Sequence, residues 1–191
     1  MNRLAGYVLH RVALVRGRLE GLVRDERGVS AVEFALLLPL MLVLYFGAID
    51  LSQGISADRK VIVTARTIAD LVSRTPSLTT SDMNDVISAA SSVMMPFSTN
   101  DLKLTVSSVK IDNNGVATID WSRTLNGTAH NKGDPVTLPA ALAIKNSSLI
   151  WGEAQYLYKP IIGYVIKGNL TLSDQIYMSP RKSDSVIYPA S

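Results

Sequence analysis

The chain has 191 residues, of which 47% are hydrophobic and 18% charged, enough for one ordinary domain and too apolar for a disordered polymer. The absence of cysteine excludes disulfides, thiolate metal sites and a cysteine nucleophile. The net charge of +3, with a pI near 9.2, invites a nucleic-acid reading that the charge distribution removes. Residues 1–28 carry Arg3, Arg11, Arg16, Arg18, Arg24 and Arg27 against Glu20, Asp25 and Glu26, which leaves thirteen basic and thirteen acidic side chains in residues 29–191. Long-range attraction to a polyanion therefore has no basis beyond residue 28.

Residues 1–28 read as a basic leader. Leu4, Val8, Val12, Val15, Leu19 and Leu22 recur at three- and four-residue steps. This gives either one apolar helical stripe, to lie on the inner membrane surface or pack on a partner, or a soluble basic extension. Phe34 to Ile49, FALLLPLMLVLYFGAI, has no charge, and extension back to Val29 adds only Glu33. A helix over 29–49 is roughly 31 Å long and spans a bilayer's hydrocarbon core. Nothing else in the chain is large enough to enclose it as a core helix. The arginine excess places the N-terminus in the cytoplasm and residues 50–191 across the inner membrane. An ordinary secretory signal fits less well, because the apolar run is long and no A-x-A site follows it closely. Pro39 either kinks the span or sits neutrally in a lipid-facing helix.

Residues 50–74 keep helical periodicity through Leu51, Ile55, Ile62, Ala65, Ile68 or Ala69, and Val72, so the span continues as a helix until Thr75-Pro76. A second helix is predicted over 80–95, with Thr79 or Ser81 as cap and Met83, Val86, Ile87, Ala90, Val93 and Met94 on its apolar face. Asp82 and Asp85 at its start favour the helix dipole. Strands occupy 102–181. In the first, Leu102, Leu104 and Val106 alternate, and Val109 and Ile111 resume out of phase, which predicts a bulge or break at Ser107-Ser108. Asp112-Asn113-Asn114-Gly115 reads as a hairpin turn into Val116–Arg123, and its oxygens do not complete a calcium loop. Residues 125–136 form a polar loop, Pro139–Ile144 a short helical turn, and 148–159 and 169–179 two further strands. The fold class is α+β, with a long N-terminal transmembrane helix packed on a small antiparallel sheet.

Catalytic patterns are missing. His10 and His130 are the only histidines, and there is no phosphate loop; Lys167 precedes the second glycine of Gly163–Gly168. No metal and no cofactor is expected.

One constellation stands out at the membrane boundary, Arg24-Asp25-Glu26-Arg27-Gly28-Val29-Ser30-Ala31-Val32-Glu33-Phe34. A carboxylate one turn inside a span is expensive. The basic leader, Gly28, Glu33 and the apolar run resemble the processing site of type IV prepilins. Gly28–Gly47, GVSAVEFALLLPLMLVLYFG, with Pro39, resembles more closely the start of the TadE-like family of pilus assembly proteins. Tyr156-Leu157-Tyr158-Lys159-Pro160 and Met178-Ser179-Pro180-Arg181 are similar to tail motifs of that family. On the residues alone, Glu33 snorkelling to the interface and Gly28 as a helix breaker stay open.

The resemblance implies a pilin-like fold and a substrate of an enzyme, not an enzyme. A membrane-embedded prepilin peptidase would cut between Gly28 and Val29. Glu33, Phe34 and Pro39 would dock the helix against other pilins and the inner-membrane assembly platform, with Glu33 neutralising the terminal ammonium of a neighbour. The product would be a minor pilin or pseudopilin of a Tad/Flp-type adhesive pilus. The alternative is an uncleaved signal-anchored protein whose periplasmic domain binds a partner or ligand.

Overall fold

The computed structural model describes residues 26–160 and 168–189; the Leu4–Leu22 stripe, His10 and Gly163–Lys167 lie outside the described residues. The described residues divide into two units, the first ending at Ala48 and the second beginning at Ile49. Helix α1 (Glu26–Ser73) runs through both without interruption at Pro39. Leu, Ala and Met supply strong helix propensity around the proline, whose missing N–H costs one hydrogen bond.

Within the second unit, α1 buries Ala57, Val61, Ala65, Ile68, Ala69 and Val72. These positions form one stripe at three- and four-residue spacing. The stripe agrees with the expected one at Ala65, Ile68, Ala69 and Val72 and differs from it before them, where Leu51, Ile55 and Ile62 are exposed. Small side chains decide the packing face, because they let the helix approach the sheet closely. At the contact, a Cβ on Gly152 would stand 2.7 Å from the Ala65 carbonyl oxygen and 3.0 Å from the Ala69 Cβ.

Helix α2 (Thr80–Ser92) follows a capping box, in which the Thr79 hydroxyl accepts from the Asp82 amide and Asp82 accepts from the Thr79 amide. Thr79 is thus the cap, and Asp82 has a local partner beyond the helix dipole. The helix ends before residue 95, because the amides of Val93, Met94 and Met95 bond three residues back and tighten the last turn. Met83, Ala90 and Met94 are buried, with Val86 and Ile87 packed beside them.

Strands β1 (Leu102–Ile111), β2 (Ala117–Leu125), β3 (Ser147–Tyr158) and β4 (Leu170–Met178) make one antiparallel sheet in the order β2-β1-β3-β4. The phase change in β1 has a different origin from the one expected. Its register with β3 is unbroken, while against β2 the pairs Ser108↔Trp121 and Val109↔Ile119 leave Asp120 as the extra residue. The bulge is therefore in β2. In β1 the apolar side chains change faces because the sheet has two cores. Leu102, Leu104, Val106, Trp121, Ile150, Ala154, Tyr156 and Tyr158 face the helices. Val109, Ile111, Ala117, Ile119 and Leu149 form a second cluster on the outer face, packed by Val136, Leu138 and Leu142.

The predicted 125–136 loop is what brings that cover into place. It folds back along β2, with Ile119 N donating to Asp134 O (3.0 Å), Gly133 N to Ile119 O (2.8 Å) and Val136 N to Ala117 O (2.9 Å). The Asp112–Gly115 turn forms as read, the Asp112 carboxylate accepting from the amides of Asn114 and Val116, both at 2.8 Å. A C-terminal strap then ties the layers together. Arg181 pairs with Asp70 (2.6 Å), the indole of Trp121 donates to Val186 O (2.8 Å), and Ile187 exchanges backbone bonds with Pro76 and Leu78. Val186 and Tyr188 are buried under it.

Two outcomes follow from this packing. Gly152→Val forces a side chain into the Ala65 carbonyl and should cost about 1–3 kcal/mol, lowering the melting temperature of the purified protein by several degrees. An unchanged melt would show that the helix–sheet gap yields. The second outcome concerns acid. Hydrogen bonds from Thr79 hold Asp82 below the ordinary carboxylate value of 3.8, and the Val116 amide, ahead of Asn114 and Gly115, does the same for Asp112. The folded state thus binds these protons less readily than the unfolded chain. Their stabilisation is complete above about pH 4 and is lost as pH falls through the lower folded values. Melts of the Asp82→Asn/Asp112→Asn variant should show a shallower loss of stability below about pH 4 than the parent.

Candidate functional site

Gly28, Val29, Glu33, Phe34 and Pro39 all lie on α1, and all are exposed. Exposure continues around every side of the helix through Tyr45, including Val32, Leu36, Leu37, Leu40 and Leu44. A helix apolar on all sides with no protein around it is built for a hydrocarbon solvent. The helix from Gly28 is long enough to cross a bilayer, and its most apolar stretch has a mean hydropathy of 2.2. Tyr45 and Phe46 meet edge to face at 5.5 Å near the end of this stretch, in the amphipathic position typical of interfaces.

The helix places Val29 and Glu33 four residues apart, on one face and one turn from each other. Phe34 is displaced by about 100° around the axis, and Pro39 lies about 240° from Glu33, so the structure does not gather Pro39 with the other docking candidates. Gly28 sits in the first turn, where helix amides have no intrahelical partner and unwinding breaks few bonds. A Cβ at Gly28 would meet nothing within 4 Å. Folding therefore gives no reason for a glycine there, and in an established helix alanine is the better residue by about 0.5–1 kcal/mol.

The two tail motifs have packing roles in the structure. Tyr156 and Tyr158 are buried on the helix-facing side, and burial, with smaller contributions from Asp101 and Asp50 respectively, raises both hydroxyls above their ordinary value. The Tyr158 hydroxyl donates to the Asp50 carbonyl (3.4 Å), and Tyr156 packs 6.2 Å from the Phe97 ring. Lys159 pairs with Asp101 (2.8 Å), and Arg181 with Asp70. These residues fasten the ends of the strands.

One cluster escaped the sequence reading. His130 stacks on Trp151 at 4.8 Å and 15°, Trp151 stacks on Tyr177 at 5.6 Å, and His130 Nε2 lies 2.7 Å from Glu153 Oε2. Burial, then the Glu153 charge, holds the Tyr177 hydroxyl above its ordinary value. Trp151, Glu153 and Tyr177 share the outward side of their strands by alternation, which was legible; the return of His130 onto them was not. Among the described residues no group of three or more His, Asp or Glu side chains is placed to hold a metal ion.

These features define a class: a chain with one exposed apolar helix able to cross a membrane, followed by an α+β domain. Residues 28–70, from Gly28 to the sheet-packed part of α1, match the family model described as TadE-like protein and are similar to that family. The match covers less than a quarter of the 191 residues and begins at the glycine of the boundary motif. No curated protein and no solved structure matches the chain.

Proposed function

We propose that the chain is a minor pilin or pseudopilin used in assembling a Tad/Flp-type pilus, and that it serves as the substrate of a prepilin peptidase instead of acting as an enzyme. The family match supports involvement in pilus assembly. The observation that carries the finer reading is the pairing of an exposed, structurally dispensable Gly28 with Glu33 one turn beyond Val29, in a stretch of helix, residues 28–49, that holds no other charge. A glycine before the scissile bond lets the backbone extend into a narrow protease site. Cleavage makes Val29 a terminal ammonium, and Glu33 is the carboxylate that offsets such a charge on a neighbouring subunit in apolar surroundings. The leader would stay cytoplasmic and the α+β domain periplasmic, with the other pilins and the assembly platform as partners.

The second reading, an uncleaved anchor for a ligand-binding domain, is favoured by the polar concavity beside His130. The two differ at the N-terminus. In cells that contain the peptidase, intact mass of the membrane-extracted protein should show a chain starting at Val29, and Gly28→Ala should leave the precursor uncut. Since that substitution meets no atoms, its domain should melt as the parent does, so lost cleavage reports the protease site alone. A parent chain starting at Met1 under those conditions refutes processing.

Glu33→Val tests docking separately. The variant should insert and be cleaved, yet be depleted about tenfold or more from sheared pili or from the assembly complex, as expected for loss of one charge pairing of about 1.4 kcal/mol. Normal incorporation would show that the charge pairing is dispensable.

A further inference from the structure

A concavity of about 660 Å³ in the α+β domain opens on the outer face of the sheet, away from α1. Strand alternation builds its floor. Thr105, Glu153 and Gln175 make one cross-strand row, and Lys103, Gln155 and Ser173 make the next. Neither row presents an apolar side chain. The segment from Asn126 to His130 forms a wall, and that wall is fixed in place. The Asn126 side-chain amide donates to the carbonyls of Thr99 (3.1 Å) and Leu102 (3.0 Å), and the His130 amide donates to the Ser122 hydroxyl (3.2 Å). His130, stacked on Trp151 and bonded to Glu153, closes one end.

The polar groups of the floor divide into two sets. Glu153 is engaged by His130, Gln175 Oε1 accepts from the Trp151 indole (3.1 Å), and Thr105 shares a hydrogen bond with Thr124 (3.0 Å). These hold the site together. Lys103, Gln155 and Ser173, by contrast, make no side-chain hydrogen bond or ion pair among the described residues, although they stand in one row across three strands. Adjacent strands are about 4.8 Å apart, so the row presents an ammonium, an amide and a hydroxyl over roughly 10 Å.

The geometry points to a binding site for a neutral oligosaccharide on this row. The charges exclude a polyanion: Lys103 is the one lysine or arginine lining the concavity, against the carboxylates of Glu153 and Asp174. Ala154 is the one apolar side chain in the lining, too little to hold a lipid tail or an apolar peptide. A ligand that both donates and accepts along its length suits an ammonium, an amide and a hydroxyl in sequence, and two pyranose rings match the length of the row. The volume lies within the range of small-ligand sites, and the pinned wall means that little ordering entropy is lost on binding. This assignment concerns the domain alone and holds whether or not the leader is removed.

The test uses the full chain in a zwitterionic detergent without a sugar headgroup, titrated calorimetrically with maltotriose, cellotriose and chitotriose. At least one should bind saturably, with a dissociation constant of about 0.1–1 mM. Gln155→Ala and Lys103→Ala should each weaken that binding about tenfold with unchanged melting temperature, since both side chains are exposed. The assignment fails if none of the three binds up to about 10 mM, if both variants bind as the parent does, or if a heparin hexasaccharide binds more tightly than all three with steep salt dependence.

Discussion

The close seating of α1 on the sheet is the constraint from which the rest of the domain follows. The helix offers Ala57, Ala65 and Ala69 between Val61, Ile68 and Val72, and the sheet answers with Gly152 directly opposite Ala65 and Ala69. Small residues on both sides bring backbone near backbone, which lets Val61, Ile68 and Val72 reach the row of Leu104, Val106 and Ile150. Burial of each branched side chain contributes about 1.5–3 kcal/mol. Asp70, near the end of the same helix, accepts from both Arg74 and Arg181, so the C-terminal strap is anchored to the element on which the sheet already rests.

The same helix serves two solvents, and its side chains show where one gives way to the other. From Val29 to Tyr45 every face is exposed and apolar apart from Ser30 and Glu33; from Asp50 onward one narrow face is buried and charged residues such as Asp58, Arg59 and Arg66 enter the pattern. In the membrane-suited part, periodicity carries no folding information, because lipid accepts an apolar side chain at any angle. In the domain it carries most of it.

That difference explains how much was legible. The order of elements, the Thr79 cap, the Asp112–Gly115 turn and the termini of the strands follow from local chemistry that a sequence states directly. The packing face of α1 was legible in Ala65, Ile68, Ala69 and Val72 and not before them, where bulky Leu51, Ile55 and Ile62 stand off the buried face and close approach rewards the small Ala57. The bulge read at Ser107-Ser108 is present between Ser108 and Val109 in the pairing with β2, but its extra residue is Asp120 on β2, which sequence alternation in β1 could not show. The second cluster depends on Val136 and Leu138, in or just after a stretch whose asparagines and glycines read as plain loop, and on Leu142 in the short helical turn that Pro139–Ile144 predicted. The His130 stack was hidden for the same reason, since only that fold-back carries the imidazole to Trp151.

Two glycines separate what folding needs from what it does not. Gly152 is required by a carbonyl 2.7 Å from where its Cβ would stand, and Gly28 is required by nothing in the folded chain. A residue that the fold does not explain belongs to another state of the protein, and on the proposed reading that state is the extended substrate in a peptidase. Glu33 fits the same logic from the energetic side. It lies roughly 6 Å along the axis from Val29, near the membrane boundary and well short of the midplane. A carboxylate at that depth can still reach the interface, so its cost does not prevent insertion of the single chain. It is nevertheless lowered further when a neighbouring ammonium stands beside it. On the proposed reading, insertion alone is therefore permitted and assembly preferred, which is the balance a pilus subunit would need if it waited in the membrane before use.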